Sequence, residues 1–182
     1  PRPMILVLQK LILFIHDLQD DPAADPLTVD GAVVHHRQEV AREQGLINLL
    51  MQMLASPFEE NPNLGRAPLA LDKINTQAKL KPYFLVARLC YRLIRQIIKD
   101  KTQCRLALSS PTQVEFMQNQ LGYELRAADT LMELFRNNRQ LVERLSDKNI
   151  NTFVHLIKEG LGKMQRYMNF LSSLVVCNER GG

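Results

Sequence analysis

The residues whose types and spacing are best suited to binding chemistry are cations in one short stretch. Four of them recur at steps of four, three and four residues, which places them on one face of an α-helix; this basic stripe comprises Arg88, Arg92, Arg95 and Lys99. Residues 79–105 contain eight Lys and Arg side chains and one carboxylate, Asp100. Such groups form charge-assisted hydrogen bonds with phosphate oxygens. The competing and more common interpretation is a solvated face, or a seam paired with acidic residues of a neighbouring domain.

Catalytic and metal-binding patterns are not found. His35 and His36 are adjacent, so on a helix they point about 100° apart and do not serve one metal ion. The other histidines and the cysteines are scattered: His16, His155, Cys90, Cys104 and Cys177. The cysteines have no CxxC spacing and are interpreted as reduced thiols of a cytosolic domain. A Gly-rich phosphate loop, HExxH and GxSxG are also missing from the sequence. The sequence therefore predicts no enzyme, no metal site and no cofactor.

The cations are expected to lie on helices, because the amino-acid composition favours helices. The 182 residues are 46% hydrophobic and 23% charged, with only 8 Gly and 9 Pro and few β-branched runs. This length suits one core or a short row of stacked helical units. The net charge of +4 permits an acidic partner but does not indicate a nucleic-acid-binding protein. The apolar stretch 4–15 is too short to span a bilayer, so no membrane insertion is expected.

Apolar periodicity and stop signals predict seven or eight helices. Their predicted ranges are 6–18, 34–58, 83–100, 111–121, 124–136, 139–145, 148–159 and 165–177, with a further short helix near 71–80. Between the first two lies a stretch with five aspartates, predicted to be an exposed loop: Asp17, Asp20, Asp21, Asp25 and Asp30. The predicted fold is all-α, an irregular armadillo-like stack, because eight helices of unequal length exceed what one bundle core holds.

Several motifs, in order and spacing, resemble the homology domain shared by inositol trisphosphate receptors and ryanodine receptors. They are Ala41–Gly45 (AREQG), Arg88–Arg92 (RLCYR), Phe116–Gln118 (FMQ), Gln120–Tyr123 (QLGY), Ala128–Thr130 (ADT), Asn137–Arg139 (NNR), Thr152–Val154 (TFV) and Arg166-Tyr167. The similarity extends from about Leu6 to Asn178 and is greater to the inositol trisphosphate receptor branch.

This resemblance implies that residues 1–182 form one armadillo-type domain of a much larger, homotetrameric calcium-release channel. In that family the domain packs against β-trefoil domains, and an inositol phosphate binds in the cleft between them. Closure of the cleft passes through further helical domains to the pore. The chain is accordingly expected to be a gating module on the cytosolic face of the endoplasmic reticulum membrane.

The family's ligand contacts are largely substituted here. On the helix before the AREQG motif, the three cation positions of the family are His35, Glu39 and Arg42, so only Arg42 stays fully basic. Glu39 would repel a phosphate, since like charges disfavour each other. A later Tyr-Arg-Lys triplet of the family falls near Lys101, and partial compensation is expected from three other cations: Arg37, Lys99 and Arg105. The resemblance therefore implies that inositol trisphosphate binds weakly or not at all.

Two alternatives remain open at this point. The first is a functional half-site for an inositol polyphosphate, built from Arg42, Lys101 and the basic stripe. The second is a free-standing armadillo adaptor that binds a peptide in its groove. The length of the parent reading frame separates the adaptor from a channel, because an adaptor's gene would lack β-trefoils and transmembrane helices.

Overall fold

The computed structural model of the chain describes residues 2–60 and 67–158. Nine α-helices lie within these ranges: α1 Arg2–His16, α2 His35–Glu43, α3 Leu46–Ala55, α4 Lys81–Ile98, α5 Thr102–Leu106, α6 Pro111–Asn119, α7 Ala127–Phe135, α8 Arg139–Val142 and α9 Asp147–Lys158. Two 3-10 turns, Leu71–Lys73 and Ala78–Leu80, replace the short helix predicted there. The described residues form no strand, which confirms the predicted all-α stack of helices. The helix predicted over 165–177 lies outside the described residues.

Helix α4 is the centre of the stack. It packs against α1, α3 and α7, and from Leu89 onward almost every side chain is buried. Two buried hydrogen bonds connect Tyr91 of α4 to later parts of the chain: the Tyr91 hydroxyl donates to Oε1 of Gln120 at 2.7 Å, and Thr130 Oγ1 donates to the Tyr91 carbonyl at 3.0 Å. A connected hydrophobic core runs from Leu8 in α1 to Phe153 in α9. This frame positions every cation of the basic stripe.

The prediction of one helix over 34–58 is wrong, because the helix is interrupted at Gly45. Gly45 adopts φ +70, the left-handed region that glycine enters without steric cost. Its N–H donates to the Arg42 carbonyl at 3.0 Å and ends α2, and α3 begins at the next residue. The charged and the apolar halves of the predicted helix are therefore two separate elements.

Other boundaries shift where the backbone turns left-handed. The helix predicted to begin at Glu124 begins at Ala127, because Glu124 and Arg126 have φ values of 65 and 75. Helix α1 ends at His16, two residues earlier than predicted, and Asp17 follows with φ 60. The short helix α5 was not predicted. It turns the chain between α4 and α6 and brings Arg105 into the interior.

Replacing Gly45 by Ala is expected to lower the free energy of unfolding by about 1–2 kcal/mol, the cost of a left-handed conformation for an L-residue with a Cβ. A Cβ at this position meets no atom within 4 Å, so the cost comes from the backbone alone. Urea unfolding followed by circular dichroism measures it. Gly31→Ala is the matched control, since its Cβ also meets nothing within 4 Å and no left-handed strain is involved. Equal stability of the two variants would contradict the prediction.

Candidate functional site

Helix α2 is fixed to the junction of α4 and α5 by one buried side chain. The amide of Gln38 is fully buried and donates to the carbonyl of Gln96 at 2.9 Å and to that of Lys99 at 2.8 Å. These carbonyls belong to the end of α4, where they have no partner within the helix. The thiol of Cys104 in α5 lies 3.7 Å from the Gln38 carbonyl. Helix α2, which carries His35, Glu39 and Arg42, is thereby held against the start of α5.

At this junction two of the residues named from the sequence form an ion pair. The Oε1 of Glu39 lies 2.6 Å from Nζ of Lys101, so α2 is joined to the residue that precedes α5. The hydrogen bond and the charge of Lys101 hold the pKa of the Glu39 carboxyl below its usual value. Lys101 therefore already has a carboxylate partner, and an incoming phosphate has to compete with Glu39 for it.

Arg42 lies near this pair. Its Nη2 lies 3.1 Å from Oε1 of Glu43, and its buried Nε has no hydrogen-bond partner. The pKa of Cys104 is raised, mainly by burial, and it also responds to the charges of Arg42, Lys101 and Glu39. The charges of these three groups thus act on one thiol, and we call Glu39, Arg42 and Lys101 the α2–α5 corner.

The other residues named from the sequence have local partners. The Nδ1 of His35 is 2.9 Å from Oε1 of Gln38, one turn along α2. Arg37 points to the end of α1, where Nη2 lies 2.6 Å from Asp17 Oδ1 and the guanidinium stacks on the ring of Phe14 at 4.5 Å. The structure thus places Arg37 against α1 and not beside Glu39–Lys101.

Arg105 is part of the interior. Its Nη2 lies 2.8 Å from Oε1 of Glu133, and Nη1 donates to the Arg136 carbonyl at 2.9 Å. Both side chains of the Arg105–Glu133 pair are buried, with 7% and 3% exposed. Arg105 therefore joins α5 to α7, and its guanidinium is not presented to a ligand.

Most of the basic stripe lies under residues 17–34, which we call the acidic strap. Nε of Arg92 donates to the Pro26 carbonyl at 2.8 Å and Nη2 donates to that of Val29. Arg95 and Lys99 lie 3.3 and 3.2 Å from the two carboxylate oxygens of Asp30. The stripe is thus a seam, but its acidic partner is a loop of the same chain instead of a neighbouring domain.

Asp30 remains ionised in this position. Partial burial opposes its ionisation, but Arg95 and Lys99 outweigh that effect and lower the pKa of its carboxyl. The pairing of Asp30 with the basic stripe was not predicted from the sequence. The available signal was charge complementarity, five aspartates in residues 17–30 against eight cations in residues 79–105.

Arg88, the first residue of the stripe, has different surroundings. Its guanidinium stacks over the ring of Phe84 at 5.4 Å. It also lines a cavity of about 230 Å³ between α4 and the start of α7. The four cations of the stripe consequently do not form one continuous ligand site.

Comparison with known proteins assigns this helical frame to a family. The family model of the RIH domain matches residues 5–181. The chain belongs to the RIH-domain family. The inositol 1,4,5-trisphosphate receptor of Caenorhabditis elegans is 29% identical to it over 182 aligned residues, which cover 94% of this chain. The chain spans 6% of the length of that receptor. The family resemblance read from the sequence motifs is confirmed.

Proposed function

We propose that this RIH domain is a regulatory module of an intracellular calcium-release channel of the inositol trisphosphate receptor type, which couples ligand binding in N-terminal domains to the pore. The observation that carries the proposal is the similarity to the worm receptor, which extends over 94% of the chain. The structure supports it with a frame suited to coupling, because buried polar contacts join α2 to α4 and α5 to α7. In this proposal the chain has no enzymatic activity.

The proposed partners follow from the same similarity. They are β-trefoil domains and further helical domains of the same channel, which assembles as a homotetramer at the endoplasmic reticulum with this domain on the cytosolic face. Among the described residues, no helix combines the length and apolarity needed to cross a membrane. The armadillo-like pairing of the helices belongs to this proposal as well.

We further propose that this domain binds inositol trisphosphate weakly or not at all. The α2–α5 corner supports this, because the carboxylate of Glu39 already neutralises Lys101 at 2.6 Å. A phosphate approaching Lys101 meets that carboxylate as a competitor and as a like charge. Arg105, expected to compensate, is paired with the buried carboxylate of Glu133 instead.

Calorimetric titration tests the proposal. Inositol trisphosphate is titrated into this chain joined to the β-trefoil domains proposed to precede it, at low and at moderate salt. The homologous region of the worm receptor, a protein named for this ligand, serves as the positive control. We expect strong heat from the worm protein and little or none from this one. Micromolar or tighter binding by this one would overturn the loss of ligand binding and favour the polyphosphate half-site. A parent gene without β-trefoils or transmembrane helices would overturn the channel proposal itself.

A further inference from the structure

The acidic strap is a loop whose two ends meet at the last turn of α1. Helix α1 ends at His16, and the strap begins at the next residue. At the other end of the strap, the Val34 N–H donates to the Ile15 carbonyl at 2.9 Å, and Nδ1 of His16 lies 2.8 Å from the Ala32 carbonyl. Helix α2 begins directly after these contacts. The start of α2 is therefore tied to α1 through two hydrogen bonds, one of which comes from a titratable ring.

The surroundings of His16 favour the neutral ring. A carbonyl oxygen only accepts hydrogen bonds, so the proton of the neutral imidazole lies on Nδ1 and Nε2 has only a lone pair. The residue is 7% exposed, and its buried Nε2 has no hydrogen-bond partner among the described residues. Protonation would add a second N–H at Nε2 without an acceptor. Burying an unpaired donor, and a charge with it, is unfavourable.

The cations of α4 also oppose protonation of His16. Burial has the largest effect and lowers the pKa of the ring. The hydrogen bond to the Ala32 carbonyl raises this pKa, and the positive charges of Lys99 and Arg92 lower it again. Asp30 of the strap raises it, with a smaller effect than either cation. The pKa of His16 is therefore lower than the 6.5 of an ordinary histidine.

The carboxylates at this end of α1 are already paired with other cations. Asp30 lies 3.3 Å from Arg95 and 3.2 Å from Lys99. Asp17, the first residue of the strap, lies 2.6 Å from Arg37 of α2. These two carboxylates are therefore engaged, and neither of them compensates a positive charge on the ring.

We propose that the contact between His16 and Ala32 is an acid-sensitive switch, in which protonation of His16 releases the end of the strap, residues 32–34, from α1 and loosens the start of α2. The ring accepts a proton by turning out of its buried position toward water, and this movement breaks the bond to the Ala32 carbonyl. The inference does not rest on the calcium-channel proposal.

The direction of the switch follows from proton linkage. The closed strap lowers the pKa of His16, so the closed form binds fewer protons than the open form, and acid favours the open form. The stabilisation of the closed form is fully present above about pH 7. It is lost progressively as the pH falls below about 6.5, the ordinary pKa of an exposed histidine.

The release is local, because α4 holds the earlier part of the strap by contacts that do not titrate near neutral pH. The guanidinium of Arg92 donates to the carbonyls of Pro26 and Val29. Nζ of Lys99 donates to the Gly31 carbonyl at 2.9 Å. Residues 32–34 lie beyond these contacts, so they move without unfolding of the helical stack.

The experiment follows the 182-residue chain by NMR between pH 7.5 and 5.5. It records the titration of the His16 ring and the hydrogen-exchange protection of the Val34 N–H, corrected for the intrinsic exchange rate. The reference is the Val114 N–H, which donates to the Ser110 carbonyl at 3.0 Å in α6. At pH 5.5 an exposed histidine is about ten times more often protonated than neutral. We therefore expect the protection of Val34 to fall roughly five- to tenfold while that of Val114 stays within about twofold.

His16→Asn removes the titration and keeps a side-chain N–H for the Ala32 carbonyl. We expect this variant to abolish the pH dependence of Val34 protection. His36→Asn is the matched control, since it removes an exposed histidine two residues beyond Val34 and is expected to retain the wild-type fall. A fall in His16→Asn as large as in wild type would overturn the proposal, because another group would be responsible.

The wild-type chain alone also decides the proposal. An equal loss of protection at Val34 and Val114, or no loss at either, would overturn it. So would titration of the His16 ring at or above pH 6.5 with the protection of Val34 unchanged. Low protection of Val34 in His16→Asn already at pH 7.5 would support the role of the ring in holding the strap. None of these measurements involves a ligand, so this inference and the proposal on inositol trisphosphate fail separately.

Discussion

Replacing Glu133 by Ala is expected to lower the free energy of unfolding by about 3–5 kcal/mol, the cost of removing one partner from a buried ion pair. Glu133 is 3% exposed, and its Oε1 lies 2.8 Å from the guanidinium of Arg105. The substitution leaves Arg105 buried, with the carbonyls of Ile98 and Arg136 as its remaining close partners. Neither carbonyl carries a net charge, and Asp100 lies at 3.8 Å with most of its side chain exposed. The guanidinium is then an uncompensated charge in the interior.

Glu115→Ala provides the control for this measurement. Glu115 pairs with Lys148 between α6 and α9, and 43% and 71% of the two side chains are exposed. An exposed pair of this kind contributes only about 0–1 kcal/mol. Urea unfolding of both variants, followed by circular dichroism, compares the two directly. A loss for Glu133→Ala no larger than that for Glu115→Ala would refute the prediction.

A double replacement separates the charge from the packing. Arg105→Met combined with Glu133→Leu removes both charges and keeps apolar volume, and such replacements of buried ion pairs are often neutral or stabilising. We therefore expect the double variant to be more stable than Glu133→Ala. If it is as unstable as the single variant, the cost lies in packing between α5 and α7 and not in the unpaired guanidinium.

The helices that the sequence predicted best have residues at their N-termini that favour the start of a helix. Helix α4 has Pro82 in its first turn, and α6 begins at Pro111, where the preceding Ser110 forms a capping box with Gln113. The predicted helix boundaries are wrong where the backbone conformation of a single residue interrupts a helix that the apolar periodicity predicts. Gly45 lies within a pattern compatible with helix on both sides, and only its left-handed φ separates α2 from α3.

The pairing of charges was much less predictable than the helices. Asp30 is 65 residues from Arg95 along the chain, and Arg105 is 28 from Glu133. Composition and spacing show that opposite charges exist in these segments, but which charge meets which depends on how α1, α4 and α7 cross. The sequence therefore predicted five ligand contacts: Arg42, Lys101, His35, Arg37 and Lys99. It did not predict that Glu39 pairs with Lys101 at 2.6 Å. It treated Glu39 only as a repulsive substitution.

Combining His35→Arg with Glu39→Lys is expected to raise the affinity for inositol trisphosphate by roughly 10- to 100-fold in this chain joined to the β-trefoil domains proposed as its partners. Hydrogen bonds to charged groups contribute about 1.5–3 kcal/mol each. The Glu39–Lys101 ion pair at the α2–α5 corner explains the size of this gain in affinity. Glu39 holds Lys101 at 2.6 Å, so its replacement by lysine frees one cation and adds another. His35→Arg adds a third donor one turn earlier on α2. Calorimetric titration measures the change, and the gain should shrink at high salt.

Glu115→Lys is a matched control for the charge change. Like Glu39→Lys, it converts an ion pair with a lysine into two cations, but it does so between α6 and α9 instead of at the α2–α5 corner. Charges remote from the ligand are screened beyond roughly 8–10 Å, so this variant is expected to leave the affinity within about twofold of wild type. A comparable gain in both would attribute the effect to net charge. No gain from the corner variant would mean that His35 and Glu39 do not face the ligand.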